Sequence, residues 1–386
     1  MSRLVHGVLH AWLVTGALVG GLHLAHAGLD ATLGLQFLRM LALPLELVWS
    51  SLTLALWIGT VLSPRVPLRV LLPGWLVAVW FALGALPVSL FVWDRMSLFQ
   101  GVVQLGTIGV CVLMARSLGG PGPVLAIETL EQRPAFRWTR TSGMVLGHLT
   151  LLPLGLVTYL GTNLAFALNW FTGGFLVMGP AGISAVHRVY TLEDDTAHLI
   201  GMVHIGDEHA YRQLFETIPG GEQTLVLAEG VGDKQGLLVS PANAYAGTAS
   251  RVGLSVQKPI EEITSLRVQN ADLDVSSFDP QTIELLGIVL RLYGGQEALP
   301  VVLQDYSSFW SRHREDAEQV VHQLFEDIVH RRNRHLLDQI RLRRTEADHL
   351  VVPWGALHLK EISETLEHEG WTAGAERRIL LVPFWN

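Results

Sequence analysis

Apolar and polar positions divide the chain near residue 179. Before it, apolar runs dominate. Those at about 4–25, 41–62, 70–93 and 144–170 each supply the roughly 20 mostly apolar residues that a helix needs to cross about 30 Å of hydrocarbon. Leu98 to Ala115 is shorter but uncharged, and the turn Trp93-Asp-Arg-Met96 before it predicts a hairpin with the third run. Five membrane-spanning helices are therefore expected over residues 1–178. Apolar residues continue from Asn163 to Met178, but Asn163, Asn169 and Gly173-Gly174 interrupt them, so this stretch reads as a lip rather than a sixth span.

Arginines set the expected orientation, because short cytoplasmic loops are enriched in Lys and Arg. With the N-terminus inside, the cytoplasmic segments hold Arg3, Arg65, Arg69, Arg116, Arg133, Arg137 and Arg140, against Arg39 and Arg95 on the other side. Five spans then put the C-terminal part outside, as in a bacterial inner or plasma membrane protein with a periplasmic or extracellular domain. Ala25-His-Ala27 also fits a signal-peptidase site, and cleavage there leaves that side unchanged. Glu46, the one acid within a span, follows Pro44 about two turns inside the boundary and reads as interfacial. Pro73, Pro87 and Pro153 interrupt spans without the pairing of broken helices that marks a transporter.

After Gly182 the period changes. Ala185 to Leu192 alternates, Glu193-Asp-Asp195 turns the chain, and His198 to Val203 is a continuous apolar strand. A helix is expected over Asp207 to Thr217, a strand over Thr224 to Ala228, and an extended segment at Leu266-Arg-Val-Gln269. Further helices are expected over Pro241–Val252, Pro280–Tyr293 and Arg314–Arg344. A strand from His349 to Pro353, a helix from Leu359 to Glu369 and a strand from Arg378 to Phe384 close the chain. Strands alternating with helices predict an α/β domain over residues 179–386 with a mostly parallel sheet.

Composition sharpens the division. Mean hydropathy is +0.35 and 16% of residues are charged, too apolar for an ordinary soluble chain. Before residue 179 there are nine Lys and Arg against five Asp and Glu; after it, 18 against 30. So acidic a domain argues against a nucleic-acid partner. Cys111, the single cysteine, excludes an internal disulfide.

The candidate chemistry lies where strands end. Gly201-Met-Val-His204 leaves one apolar strand, Gly355-Ala-Leu-His358 leaves another, and Glu229 ends a third, Leu225-Val-Leu-Ala228. In parallel sheets ligands bind beyond the carboxyl ends of the strands. Each Gly-x-x-His alone is an ordinary turn followed by a cap or core histidine; the doubling, and a carboxylate costly to bury unless paired or liganded, point to one site. Imidazole and carboxylate can hold a divalent ion and leave positions open for water. No His-Glu-x-x-His pattern is present, and His204 and His209 are five apart, so any metal site has to be assembled across strands. Asp272 and Asp274 either complete that site or form an Asx turn. Arg331 to His335 reads as a solvated helix face.

The order Gly201-Met-Val-His204, Leu227-Ala-Glu229, Arg332-Asn-Arg334, Gly355-Ala-Leu-His358 resembles the TIKI/TraB/GumN family over about residues 185–386. The resemblance implies an erythromycin-esterase/ChaN-like α/β fold and a metalloprotease-like hydrolase using manganese or cobalt outside the cytoplasm. It further implies His204, Glu229 and His358 as the catalytic or metal-binding set and Arg332, Asn333 and Arg334 as supporting site residues, with Arg332 or Arg334 expected to stabilise an oxyanion; Asp272, from its own place in the chain, is the further expected ligand. Gly201 and Gly355 belong to the same motifs, and Asp274 is expected as a supporting residue beside Asp272. The expected partners are a peptide or protein substrate near the membrane and the bilayer itself. The departure is Pro353-Trp354 before the second motif, where relatives carry small residues and where a large ring is expected to narrow the pocket. The alternative function is a non-catalytic protein that binds peptide, metal or haem in the same pocket.

Overall fold

The computed structural model describes residues 2–33, 36–92, 95–118, 122, 125–238, 245–294 and 297–385. The chain forms two compact units, Met1–Asn163 and Leu164–Asn386. The boundary falls inside a helix, earlier than the change in sequence pattern at residue 179.

The first unit contains α1 (Ser2–Leu33), α2 (Gln36–Leu62), α3 (Leu68–Ala82), α4 (Met96–Ser117), the short α5 (Ile127–Glu131) and most of α6 (Trp138–Phe171). Ser2–Gly28, Leu41–Leu62, Met96–Ser117 and Trp138–Phe171 are long and apolar enough to cross a membrane. The third expected span is not: α3 has 15 residues, about 22 Å at 1.5 Å per residue. Its end is local in origin. Gly84 at φ +78° and Ala85 at φ 51° turn the backbone out of the helix, and a 3-10 turn at Val88–Leu90 follows. The predicted turn at Trp93-Asp94 lies outside the described residues.

Even so, α3 runs alongside the longer helices. Trp75 stacks on Trp57 of α2, with ring centroids 4.1 Å apart. At the far end of α3, Trp80 meets Phe99 near the start of α4. Helix α6 follows the same direction: Thr141 Oγ1 donates to Val61 O and Tyr159 Oη to Leu86 O. The arginine-bearing segments meet at one end, where Arg65 Nε donates to Arg133 O, Ser63 Oγ to Ala135 O, and His6 Nδ1 bonds Leu125 O. Leu9, Trp12 and Leu13 of α1 are buried in the core of this unit with Trp49, Leu56, Val70 and Ile108.

In the second unit, Gly173 and Gly174 (φ +59° and +81°) reverse the chain after α6, where a side chain is disfavoured. The expected lip becomes the last residues of that helix and β1 (Leu176–Gly179). There follow β2 (Gly182–Leu192), β3 (Asp195–Met202), the two-residue β4 (Ile205–Gly206), α7 (Glu208–Gln213), β5 (Thr224–Ala228) and α8 (Ala246–Arg251). Next are β6 (Ser255–Val256), α9 (Ile260–Ile263), β7 (Arg267–Asn270), α10 (Pro280–Gly294), α11 (Leu299–Arg312) and α12 (Ala317–Phe325). After a π-helical turn at Glu326–Arg331 come α13 (Arg332–Arg343), β8 (His349–Gly355), α14 (Ala356–His368) and β9 (Thr372–Pro383). The expected helix from Pro241 is described only as α8; residues 239–244 lie outside the described residues.

The main sheet is mixed. Strands β3, β8, β5 and β7 are adjacent and parallel, while β2 pairs antiparallel with β1, β3 and β9. Alternation sorts β3: Ala197 and Leu199 pack under Leu336 and Ile340 of α13 and Leu359 and Ile362 of α14. Ile200 and Met202 face Tyr211, Leu214, Phe215 and Ile260. Gly201 owes its place to packing rather than to a positive φ, since a Cβ there would stand 2.4 Å from Phe175 O.

One strand contact shapes the site. Pairing of β5 with β8 runs through Val226↔Val351 and stops. Pro353, two residues on, has no N–H to continue the ladder. The Trp354 indole donates instead to Leu227 O at 3.0 Å, which satisfies a buried carbonyl. Trp354→Phe removes that donor while keeping a ring, and is expected to destabilise the chain by about 1–3 kcal/mol; denaturant titration of the full chain in detergent micelles measures it. Gly201→Ala is expected to lose more, because backbone rather than a mobile side chain blocks the new Cβ.

Candidate active site

Four neighbouring parallel strands deliver the polar residues at their carboxyl ends. His204 follows β3, Glu229 follows β5, Asp272 stands two residues past β7, and His358 lies in the first turn of α14 after β8. At the centre is Arg332, the first residue after the π-helical turn. Within the expected single helix Arg314–Arg344, that turn changes the register. Asp327 is fully buried inside it and accepts from Arg331 Nη1, Thr282 Oγ1 and Asp279 N. Arg332 and Asn333 then point into the domain; Arg334 points out, paired with Glu326 and 57% exposed.

The Arg332 guanidinium is saturated. Nε donates to Asp272 Oδ1 at 2.9 Å, and Nη2 to Asp272 Oδ2 at 2.6 Å and Glu229 Oε1 at 2.7 Å. Nη1 faces His358 Nε2 at 3.1 Å and Ile328 O at 3.3 Å. Five contacts match the five N–H groups a guanidinium carries. The ion stands 5.4 Å above the Trp354 ring. Burial opposes its charge, and Asp272 and Glu229 outweigh that opposition.

Glu229 is held from the other side by the Gly355 N–H, which donates to Oε2 at the N-terminus of α14. The aligned peptide dipoles there favour an anion. Gly355 has φ −48°, so no left-handed conformation demands it. A Cβ would sit 3.1 Å from Glu229 Oε2, so the glycine makes room for the carboxylate. Burial pushes the Glu229 carboxyl up, but Arg332 and the Gly355 N–H outweigh it and hold it below the usual carboxylate range.

His358 Nδ1 bonds Asn333 Oδ1 at 2.7 Å, while Asn333 Nδ2 donates to Glu361 Oε2 at 2.8 Å. The amide oxygen fixes the proton on Nδ1, leaving the Nε2 lone pair toward Arg332. Burial and then Arg332 push this imidazole down to about 4, so it is neutral at pH 7. Glu361, one turn beyond His358 on α14, has the i,i+3 spacing that could have signalled its role.

His204 belongs to a different surface. Its ring is exposed and stacks on Tyr245, centroids 4.9 Å apart. It lines a cavity of about 570 Å³ together with Glu229, Arg332, Lys258, Asn270 and apolar side chains such as Phe278 and Ile328. Lys258 and Tyr245 had no distinguishing mark in the sequence. Trp354 does not line this cavity; it lies behind Arg332, edge-on to His358, so the expected narrowing is absent. Asp274 also stays outside. Its carboxylate accepts from Ser276 and from the Lys234 N–H and shapes a loop, which is the Asx-turn alternative. Gly201 acts only through packing.

No family model matches this chain, and neither a curated protein nor a solved structure matches it.

The arrangement can also be tested against a divalent ion. No group of three His, Cys, Asp or Glu side chains is poised to hold one among the described residues. Both Asp272 oxygens and one Glu229 oxygen are already taken by Arg332, and the His358 lone pair faces the same guanidinium. This donor set does not fit a metal while Arg332 is in place. The cation between the carboxylates belongs to the chain itself.

Two expectations follow. Arg332→Met leaves Asp272 and Glu229 without their counter-charge, with backbone N–H donors alone to hold them, and is expected to cost about 3–5 kcal/mol, read by denaturant titration of the full chain. The second concerns acid. His187, His198 and His349 form a row across β2, β3 and β8, with ring nitrogens 3.0 and 3.3 Å apart. Burial and then Arg377 push His187 down to about 4, and burial and then the neighbouring imidazoles push His198 to about 3. With His358, three imidazoles stay neutral in the folded state below their ordinary value of 6.5. The unfolded chain therefore binds more protons between 6.5 and about 4, and stability falls as pH falls through that window. The slope approaches about 4 kcal/mol per pH unit if each of the three takes up one proton; His198→Gln should make it shallower.

Proposed function

We propose that this chain is a membrane-anchored hydrolase of peptide or protein substrates whose α/β domain faces the periplasm or cell exterior. The observation that carries the reading is an ionised Glu229, fixed by Arg332 and the N-terminus of α14, at the wall of a cavity beyond the carboxyl ends of parallel strands. The motif order shared with TIKI/TraB/GumN proteins supports the same chemistry. For the side of the membrane, the support is the arginine bias, with the shorter α3 counted as a crossing because it runs alongside the four longer apolar helices.

In this mechanism the substrate lies in the cavity between His204 and Glu229. Each Glu229 oxygen spends one acceptor site on Arg332 or Gly355, and a carboxylate offers about four such sites. The rest can orient an attacking water or a substrate N–H. A carboxylate held low is a weak base, so proton removal falls to His204. Arg332, with no free N–H, positions Glu229 and His358 rather than meeting the oxyanion, and Lys258 is the cation at the cavity able to do so. The manganese or cobalt implied by the family pattern is replaced in this mechanism by Arg332.

The binding-protein reading draws on the same saturation of Arg332, which leaves little chemistry unengaged. Cleavage of a quenched-fluorescent peptide library by the full chain in detergent separates the two. His204→Ala and Glu229→Gln are each expected to lower kcat at least about 100-fold, with wild-type activity surviving a chelator. Loss of activity in chelator, restored by manganese, would overturn the metal-free mechanism. Peptide retention without cleavage would establish the binder. A reporter active only in the periplasm, fused after Asn386, is expected to be active; silence would put the domain inside.

A further inference from the structure

The helical unit carries a polar cluster that anchoring alone does not require. Glu46 of α2 accepts from His23 Nε2 of α1, and from Gln100 Nε2 of α4 at 3.2 Å. The same helices carry buried nitrogens with no hydrogen-bond partner among the described residues: His23 Nδ1 in the pair itself, and His26 Nδ1, Trp49 Nε1 and Gln104 Nε2. On their own helices the last three are spaced one turn from His23, Glu46 and Gln100 respectively. His23 is 5% exposed and Gln104 2%. Close packing keeps them from solvent: a Cβ on Gly101 would stand 2.9 Å from Gly20 O, so α1 and α4 approach through glycine.

Buried polar groups are almost always paired, and ionisable residues within membrane helices mark proton or ion pathways. The buried His23 Nδ1 lone pair suits a water, which can donate a hydrogen bond to the imidazole. A metal fits less well, since no three ligating side chains converge among the described residues. Among the described residues, the ionisable groups of these helices nearest the pair in sequence are His23 and His26 from α1 and Glu46 from α2. Helix α4 adds the neutral Gln100 and Gln104, with Arg95 exposed at its cap. Glu128 and Glu131 of α5 lie toward the opposite, arginine-bearing end.

We propose that His23 and Glu46 form a proton-binding site inside the helical unit, served by water at the buried, unpaired His23 Nδ1. With Nε2–H donated to Glu46, one proton taken up at Nδ1 makes His23 an imidazolium paired to the carboxylate. A second, on Glu46, breaks the pair.

Infrared difference spectra of the full chain in nanodiscs, recorded against pH, test this. One carboxylic-acid C=O band is expected to titrate, to be missing in Glu46→Gln, and to move its midpoint up by at least about one pH unit in His23→Ala, a tenfold change. An unchanged midpoint in His23→Ala, or a band retained in Glu46→Gln, overturns the proposal. If Glu46→Gln fails to fold, carbodiimide labelling of wild type decides, because the reagent needs a protonated carboxyl. Labelling of Glu46 must then rise on acidification and start at higher pH in His23→Ala. Labelling independent of pH is the contrary result.

Discussion

The α/β domain depends on where it keeps one positive charge. Arg332 lies between Asp272 and Glu229, with His358 and Ile328 O completing its five donors. Two carboxylates gathered at the ends of adjacent parallel strands repel each other and resist burial; a guanidinium between them removes both objections through its planar fork. Its position depends on the π-helical turn before it. Without the added residue in that turn, a regular helix would carry Arg332 round its axis and off the sheet edge. Asp327, buried in the turn and bonded to Arg331, Thr282 and Asp279, fixes the irregularity.

The strands contribute through an interruption. Because Pro353 cannot donate, β5 and β8 cease to pair before their ends, and the Trp354 indole closes the Leu227 carbonyl. Past that point Glu229 bonds the Gly355 N–H with its side chain, where a continued ladder would have used backbone. Pro353 and Trp354 thus open the place where the carboxylate sits. Trp354 also supplies the aromatic surface beneath Arg332.

Much of this was legible in the chain, and the exceptions have physical causes. Strands with continuous apolar runs, such as Thr224–Ala228 and His349–Pro353, announce themselves, and so do polar residues placed at their ends. The two Gly-x-x-His motifs read as equivalent, yet they are not. Gly201 serves packing against Phe175 and its histidine faces a cavity, whereas Gly355 serves a carboxylate and its histidine is buried and neutral. Letters in a motif do not record what stands opposite them. Nor does local pattern mark a π-helical turn, since inserting one residue leaves composition and charge unchanged. For the same reason Arg332 and Arg334, two apart on an apparent charged face, could not be separated into core and surface. The short α3 was foreshadowed by Gly84 and Pro87, but mean hydropathy continues through both and hides the turn.

Both units hold a partly buried glutamate against a single counter-group, and the choice of that group distinguishes them. Glu229 has an arginine, whose charge is permanent in proteins, so its ionisation is locked and the geometry around it static, as a preorganised site requires. Glu46 has a histidine, whose charge, unlike a guanidinium's, is not permanent. A carboxylate paired with a group that can itself discharge is conditional, and its neighbours are left with unspent hydrogen-bonding capacity. That capacity would be a defect in a domain core. In the helical unit it gives a proton somewhere to arrive and somewhere to go.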